Sequence, residues 1–299
     1  MSFPMLENPS GTYCYYNGRK ITLSSDEGQS LCEPISDLIY YESIRIHKGV
    51  MVFFENHMLR LMQSIEMKEN FELDTEALYD DAVRLIRESD PVVYDGNIRI
   101  VITRTSRLIH FSHVFYPSGD LFSHGIATSL LSWERLDPQV KVFRGEYKAA
   151  VAASLATETS FGFPYEVLLT DRKGQITEGS RSNFFVLFKG VVYSPPEELI
   201  LIGITRKYVL QAVREAGLVY KEALFSLADL ITMRAGEKGN TESLALFVTS
   251  SPFDILPVRS VEDEVFHSAY NSDLAKISEI YQMIVQHYIE ARSADISES

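Results

Sequence analysis

Apolar and polar positions along this chain repeat with two different periods, and the switches between them mark the elements. Residues 12–22 (TYCYYNGRKIT) alternate around Asn17-Gly18, the dipeptide of a tight hairpin turn. Residues 36–47 are extended and apolar, and after Lys48-Gly49 the strand pattern resumes over Val50 to Phe54. Gly96 to Arg104 and Leu108 to Tyr116 read as two further strands. Between them the spacing becomes helical. Met58, Leu59, Met62 and Ile65 share one face of Glu55 to Met67, and Leu78, Ala82, Leu85 and Ile86 do the same in Thr75 to Glu88, with Asp74 placed as N-cap.

The second half continues in the same mixed way. The pattern predicts strands at 126–134, Glu166 to Thr170, Phe184 to Phe188, 191–194 and 244–249, and helices at 147–160, 205–216, 226–234 and about 271–291. Ser250 to Pro257 reads as a loop, and Ser293 to Ser299 as a frayed polar end. Strands and helices interleave irregularly and short turns join consecutive strands, which favours an α+β fold over a doubly wound parallel sheet. Pro, Ser and two Gly crowd residues 117–125. That composition places a linker at 119–125 between a smaller N-terminal domain, 1–118, and a larger C-terminal one, 126–299.

Composition narrows the function. A chain of 299 residues with 45% apolar and 23% charged residues has the make-up of an ordinary globular protein. Its net charge of −13 argues against nucleic acid or an anionic membrane surface as partner. Cys14 and Cys32 make neither a disulfide framework nor a metal-ligand spacing, so no metal is expected. No apolar run approaches the ~18 residues of a membrane span. Met1 to Gly11 has no basic start followed by an apolar run, and a cytoplasmic location is the expectation. No GxGxxG or Walker-type loop supports a nucleotide site of those kinds.

Candidate chemistry gathers at a few points. In Ile176-Thr177-Glu178-Gly179-Ser180-Arg181-Ser182-Asn183-Phe184-Phe185 a carboxylate and a short polar run lie between two strands. Rigid elements holding convergent polar groups suit a cofactor site, and the same residues also suit a plain turn. At Gly203-Ile204-Thr205-Arg206, Thr205 as an N-cap leaves backbone N–H groups that favour a phosphate, or is an ordinary cap. Thr249-Ser250-Ser251 offers hydroxyls and turn amides of the same kind. Arg60 is either a solvated helix residue or an always-charged fork for phosphate. Lys141 lies in the alternation Val140-Lys141-Val142-Phe143, and Lys148 lies at a helix start. Either is a surface lysine unless its amine is made neutral and thus nucleophilic.

Five pieces in order resemble a known family: Tyr41-Glu42-Ser43-Ile44-Arg45; His57-Met58-Leu59-Arg60-Leu61 with Ser64; Thr177 to Phe185; Gly203-Ile204-Thr205-Arg206; and Ser251 with Ile255-Leu256-Pro257-Val258. Together, from about residue 40 to 258, the chain resembles the class IV aminotransferases, the fold-type IV enzymes that use pyridoxal 5′-phosphate. The resemblance implies a small α/β domain and a larger domain with a barrel-like β core flanked by helices. It implies Arg60, Ile204, Thr205 and Ser251 as phosphate contacts, Glu178 facing the pyridine nitrogen with Asn183 near it, and Tyr147 at the cofactor's phenolic oxygen. Lys141, with Lys148 as the alternative, is implied as the Schiff-base lysine. Tyr41, Arg99, Arg104, Arg107 and His110 are the substrate candidates. Strand alternation puts Arg99 and Arg104 on opposite faces. The implied reaction moves an amino group between an amino acid, branched-chain or similar, and a 2-oxo acid in a homodimer. The alternatives are an aminodeoxychorismate-type lyase and an inactive cofactor-binding or scaffolding protein.

Overall fold

A computed structural model describes residues 3–90, 92–113, 117–236 and 243–297. The chain divides into two compact units. The first comprises Met1–Phe115, Val140–Glu146 and Val285–Ser299, and the second Tyr116–Gln139 and Tyr147–Ile284.

In chain order, the first unit contains β1 (Phe3–Pro4), β2 (Pro9–Tyr16), β3 (Arg19–Thr22), α1 (Asp26–Ser30), β4 (Pro34–Ile35), β5 (Tyr40–His47) and β6 (Val50–Met51). After these come α2 (Phe54–Glu66), α3 (Thr75–Arg87), β7 (Gly96–Ile102) and β8 (Arg107–Ser112). Six strands form an antiparallel sheet in the order β3-β2-β8-β7-β5-β6. Strand alternation sorts its two faces. Tyr40, Ile44 and Ile46 of β5, Ile98 and Ile100 of β7, and Ile109 of β8 pack with the apolar stripes of α2 and α3. Val101, Leu108 and Cys14 turn the other way and are covered by Met5, Leu6 and Leu31. Asn17 and Gly18 both take positive φ (48° and 78°), which makes the β2–β3 turn tight. Asp74 caps α3 by accepting the Ala77 N–H.

The second unit contains α4 (Gly119–His124), β9 (Ile126–Ser132), α5 (Gly145–Leu155, whose first two residues fall in the first unit), β10 (Glu166–Thr170), β11 (Gln175–Gly179), β12 (Asn183–Phe188) and β13 (Val191–Ser194). After these come α6 (Ile204–Glu215), β14 (Val219–Glu222), β15 (Phe225–Ser226), α7 (Leu227–Gly236), β16 (Leu244–Ser250), β17 (Asp254–Val261), β18 (Glu264–Val265) and α8 (Ser272–Ser297, whose residues from Val285 on fall in the first unit). The strands form one mixed sheet in the order β14-β13-β12-β16-β17-β9-β10-β11-β15, with β18 on β17. Phe184, Val186, Leu246, Val248 and Leu256 fill its core. On the opposite face of β12 and β16, Phe185 and Phe247 stack at 4.8 Å, and α6 packs against β16.

Several expectations need correction. Val50 to Phe54 is not a strand throughout: Phe53 turns left-handed (φ 57°) and Phe54 opens α2. Ser250 to Pro257 is mostly strand, because Ile255, Leu256 and Val258 are buried between β16 and β9 and one missing proline donor does not outweigh that. Residues 119–124, read as linker, form α4. The strand expected from Leu108 to Tyr116 ends at Ser112, and its positions 114–116 lie outside the described residues. The terminal helix runs on to Ser297. Among the described residues no helix is long and apolar enough to cross a membrane.

Leu246 is fully buried in the second unit's core. Leu246→Ala is expected to cost about 2–5 kcal/mol and Leu246→Met under about 1.5 kcal/mol, read from guanidinium unfolding followed by circular dichroism.

Candidate functional site

In the first unit the chemistry starts from an inward-facing carboxylate. Glu42 shares the inner face of β5 with Tyr40 and Ile44 and is fully buried. One turn apart on α2, His57 and Arg60 both reach it. Arg60 donates Nε to Oε1 at 2.8 Å and Nη2 to Oε2 at 2.5 Å, and His57 Nδ1 lies 2.7 Å from Oε2. Burial by itself raises the Glu42 pKa, but Arg60 and His57 outweigh it and bring the carboxyl down to about 2. His57 is shifted downward, first by its burial, against the pull of Glu42.

The same helix fixes Lys141. Ser64 Oγ accepts the Lys141 N–H at 3.2 Å, and the Tyr41 N–H donates to the Lys141 carbonyl at 3.5 Å. Val140 and Val142 are buried while Lys141 is half-buried, as alternation predicts. Its Nζ lies 4.7 Å from the centre of the Tyr41 ring, and Tyr41 stacks on Phe143 at 4.0 Å.

The substrate candidates separate. Arg99 and His110 are directly opposed on β7 and β8, and Arg99 lies 5.6 Å from the Tyr41 ring. Tyr41, Arg99, His110 and Lys141 therefore come together. Arg107 does not join them: three residues from His110 on one strand, it points to the opposite face and bonds Asp81 on α3 at 3.1 Å. Arg104 lies beyond the end of β7 and bonds the Glu69 carbonyl.

In the second unit Leu201 is the junction. Its N–H donates to Glu178 Oε2 at 3.1 Å and its carbonyl accepts the Asn183 side-chain amide at 2.8 Å. Glu178 and Asn183 thus hold the segment that leads into α6. The N-cap of α6 is Gly203, not Thr205 as the sequence suggested. A Cβ on Gly203 would fall 2.0 Å from Asn183 Oδ1, so only glycine fits. No side chain caps this helix, which leaves its first amides suited to an anion. Thr205, in the first turn, sets its Oγ1 3.5 Å from Ser251 Oγ, and Thr249 Oγ1 is buried with no partner among the described residues.

Two residues that sequence reasoning missed complete this group. Arg135, in a loop with no periodic signal, donates to Glu178 Oε1 at 3.1 Å and lies 5.9 Å from the Tyr147 ring. Tyr147 itself donates to the Ser180 carbonyl at 2.6 Å. Glu166, fully buried at the start of β10, accepts Ser180 Oγ (2.5 Å) and Ser182 Oγ (2.8 Å), and so clamps the turn from Glu178 to Asn183. A Cβ on Gly179 would fall 2.0 Å from Ser182 Oγ, which is why the turn requires glycine there. An acidic residue opening an otherwise apolar strand was the available signal for Glu166. Lys148 lies half-buried within α5.

Comparison with known proteins adds a second line. The amino-transferase class IV family matches residues 40–261. A putative branched-chain-amino-acid aminotransferase of Methanocaldococcus jannaschii is 28% identical over 79% of this chain and 83% of its own. A D-alanine aminotransferase of Bacillus licheniformis is 25% identical over the same shares, 79% and 83%. Among solved structures, a putative branched-chain amino acid aminotransferase from Thermotoga maritima superposes with a TM-score of 0.73. It is 18% identical and covers 92% of this chain and 96% of that one.

The buried groups set a pH dependence. His57, His110 and Glu42 all have lowered pKa values in the fold, so the unfolded chain binds more protons and stability rises with pH through their range. Free histidine protonates near ~6.5 and free Glu near ~4.3. Stability is therefore expected to fall as pH drops below the free-histidine range, with His110 contributing down to about 4 and Glu42 down to about 2. Calorimetric Tm against pH checks this, and His110→Gln should flatten the upper part of the slope.

Proposed function

The chain belongs to the class IV aminotransferases, a pyridoxal 5′-phosphate-dependent family, and from that premise we propose that it moves an amino group between an amino acid and a 2-oxo acid with Lys141 as the reacting amine. The observation that carries the reading is the Glu178–Leu201–Asn183 junction, which ties a buried carboxylate to an uncapped helix N-terminus. That donor set suits the cofactor. Ile204 and Thr205 amides with the Thr205 and Ser251 hydroxyls match a phosphate, and a carboxylate at Glu178 matches a ring N–H. Arg60, its guanidinium oriented by Glu42, would supply a fixed cation for the phosphate. The bound cofactor supplies an electron sink for the carbanion formed at the substrate α-carbon.

The chain's residues do the rest. Glu178, bonded by Arg135 and the Leu201 amide, would hold the proton on the ring nitrogen. Tyr147, whose hydroxyl donates to the Ser180 carbonyl here, would turn that hydrogen to hold the cofactor's phenolic oxygen. Lys141 Nζ, when neutral, would take the substrate α-proton and later give it back, acting as base and then as acid. Its backbone is pinned by Ser64 and Tyr41, so one amine stays in reach throughout both halves of a ping-pong cycle. This pinning, on the helix that also carries Arg60, supports Lys141 over Lys148. The names of the relatives support a branched-chain or similar amino acid as substrate, and the Tyr41–Phe143 stack offers an apolar wall for it. A homodimer, supported by the family resemblance, acting in the cytoplasm completes the reading.

The purified enzyme is expected to be yellow, with a near-visible band that moves when a suitable amino acid is added. Lys141→Ala should be colourless and lower transfer to 2-oxoglutarate by about 10²–10⁴-fold or more, while Lys148→Ala stays yellow and active. The reverse pattern contradicts the assignment. Pyruvate release from aminodeoxychorismate without amino transfer makes it a lyase.

A further inference from the structure

The first unit holds a cleft whose lining includes none of Tyr41, Arg99, His110 and Lys141. It has about 440 Å³ of empty space and opens where β6, the first turn of α2, the second half of α3 and the end of α8 come together. Met51, Phe54 and Ile86 give it an apolar floor, each only 5% exposed. Two tyrosines also line it. Tyr79 meets Phe54 edge-on at 5.1 Å, and Tyr288 meets Phe53 edge-on at 4.9 Å. A cleft of this size with apolar and aromatic walls suits a small ligand with a flat apolar body.

Charge narrows the ligand further. The charged residues of the cleft are two arginines, Arg87 and Arg292, and one glutamate, Glu55. Glu55 is already engaged. The Tyr288 hydroxyl donates to its Oε2 at 2.8 Å, and Arg292 pairs with its Oε1. The Arg292 guanidinium also lies 5.7 Å from the Tyr288 ring. Arg87, in the last turn of α3, has no side-chain hydrogen bond or ion pair among the described residues. One cation is therefore left over at the edge of an apolar floor. Its planar fork matches the two oxygens of a carboxylate, whereas a phosphate dianion calls for more than one free cation.

We propose that this cleft is a binding site for a small aryl monocarboxylate, with the ring against Phe54 and Tyr79 and the carboxylate on Arg87. The site shares no residue with the group around Lys141 and does not depend on the reaction assigned there. Phenylpropanoate and its neutral amide are titrated into holoenzyme isotope-labelled at its methionine methyls, with the Met51 signal assigned through Met51→Leu. The acid should move the Met51 signal saturably, with a Kd about tenfold below that of the amide. Arg87→Gln should raise the acid Kd about tenfold and shift the amide Kd less than about twofold, and Arg87→Lys should keep most of the preference for the acid. Val83 also lines the cleft, and Val83→Trp, which fills it, should remove the response to both ligands. Near-UV circular dichroism verifies that each variant is folded. A Met51 signal that the acid leaves unmoved, equal Kd values for acid and amide, an acid Kd unchanged in Arg87→Gln, or a response that survives Val83→Trp overturns the proposal. Acid that binds beside the cofactor shows separately, as a change in the visible band that Arg87→Gln leaves in place.

Discussion

Taking an ionised carboxylate out of water costs several kcal/mol unless charges and hydrogen bonds replace the lost hydration. Glu42, Glu166 and Glu178 are buried, and each is met by a different local set of donors. Glu42 takes the Arg60 fork and His57. Glu166 takes the hydroxyls of one turn. Glu178 takes a loop arginine and a backbone amide. Each carboxylate thereby ties segments together: α2 to β5, the turn between β11 and β12, and the approach to α6. Breaking the Glu42–Arg60 pair leaves an uncompensated buried charge, worth about 3–5 kcal/mol.

Most of the architecture was legible because it obeys local rules. The Asn17-Gly18 turn, the Asp74 cap and the apolar stripes of α2 and α3 follow from positive φ, side-chain capping and helical period. The failures share one cause, a tertiary contact that overrides a local signal. β17 was hidden by Pro257 because burial between two neighbours was invisible. Thr205 looked like the cap because nothing in the sequence reveals that the Asn183 side chain fills the Cβ position of Gly203. The candidate site was legible in its type, since Glu178, Asn183 and Thr205 do meet through Leu201 or α6. Its supporting charges were not: Arg135 sits in an unpatterned loop, and Arg107 seemed to accompany His110 until strand alternation separated them.

Family membership supplies the cofactor and reaction class, while the geometry argues how this chain would use them. α2 carries the Arg60 cation and pins the Lys141 backbone through Ser64. Tyr41 then links the lysine to Arg99 and, through it, to Glu7, a residue outside the family pattern.

The central claim is that Lys141 carries the cofactor. Borohydride reduction of the holoenzyme fixes the cofactor to its lysine, and digestion with mass spectrometry locates the phosphopyridoxyl group. The account predicts the label on the peptide containing Lys141. A label on Lys148, or on any other lysine, contradicts it.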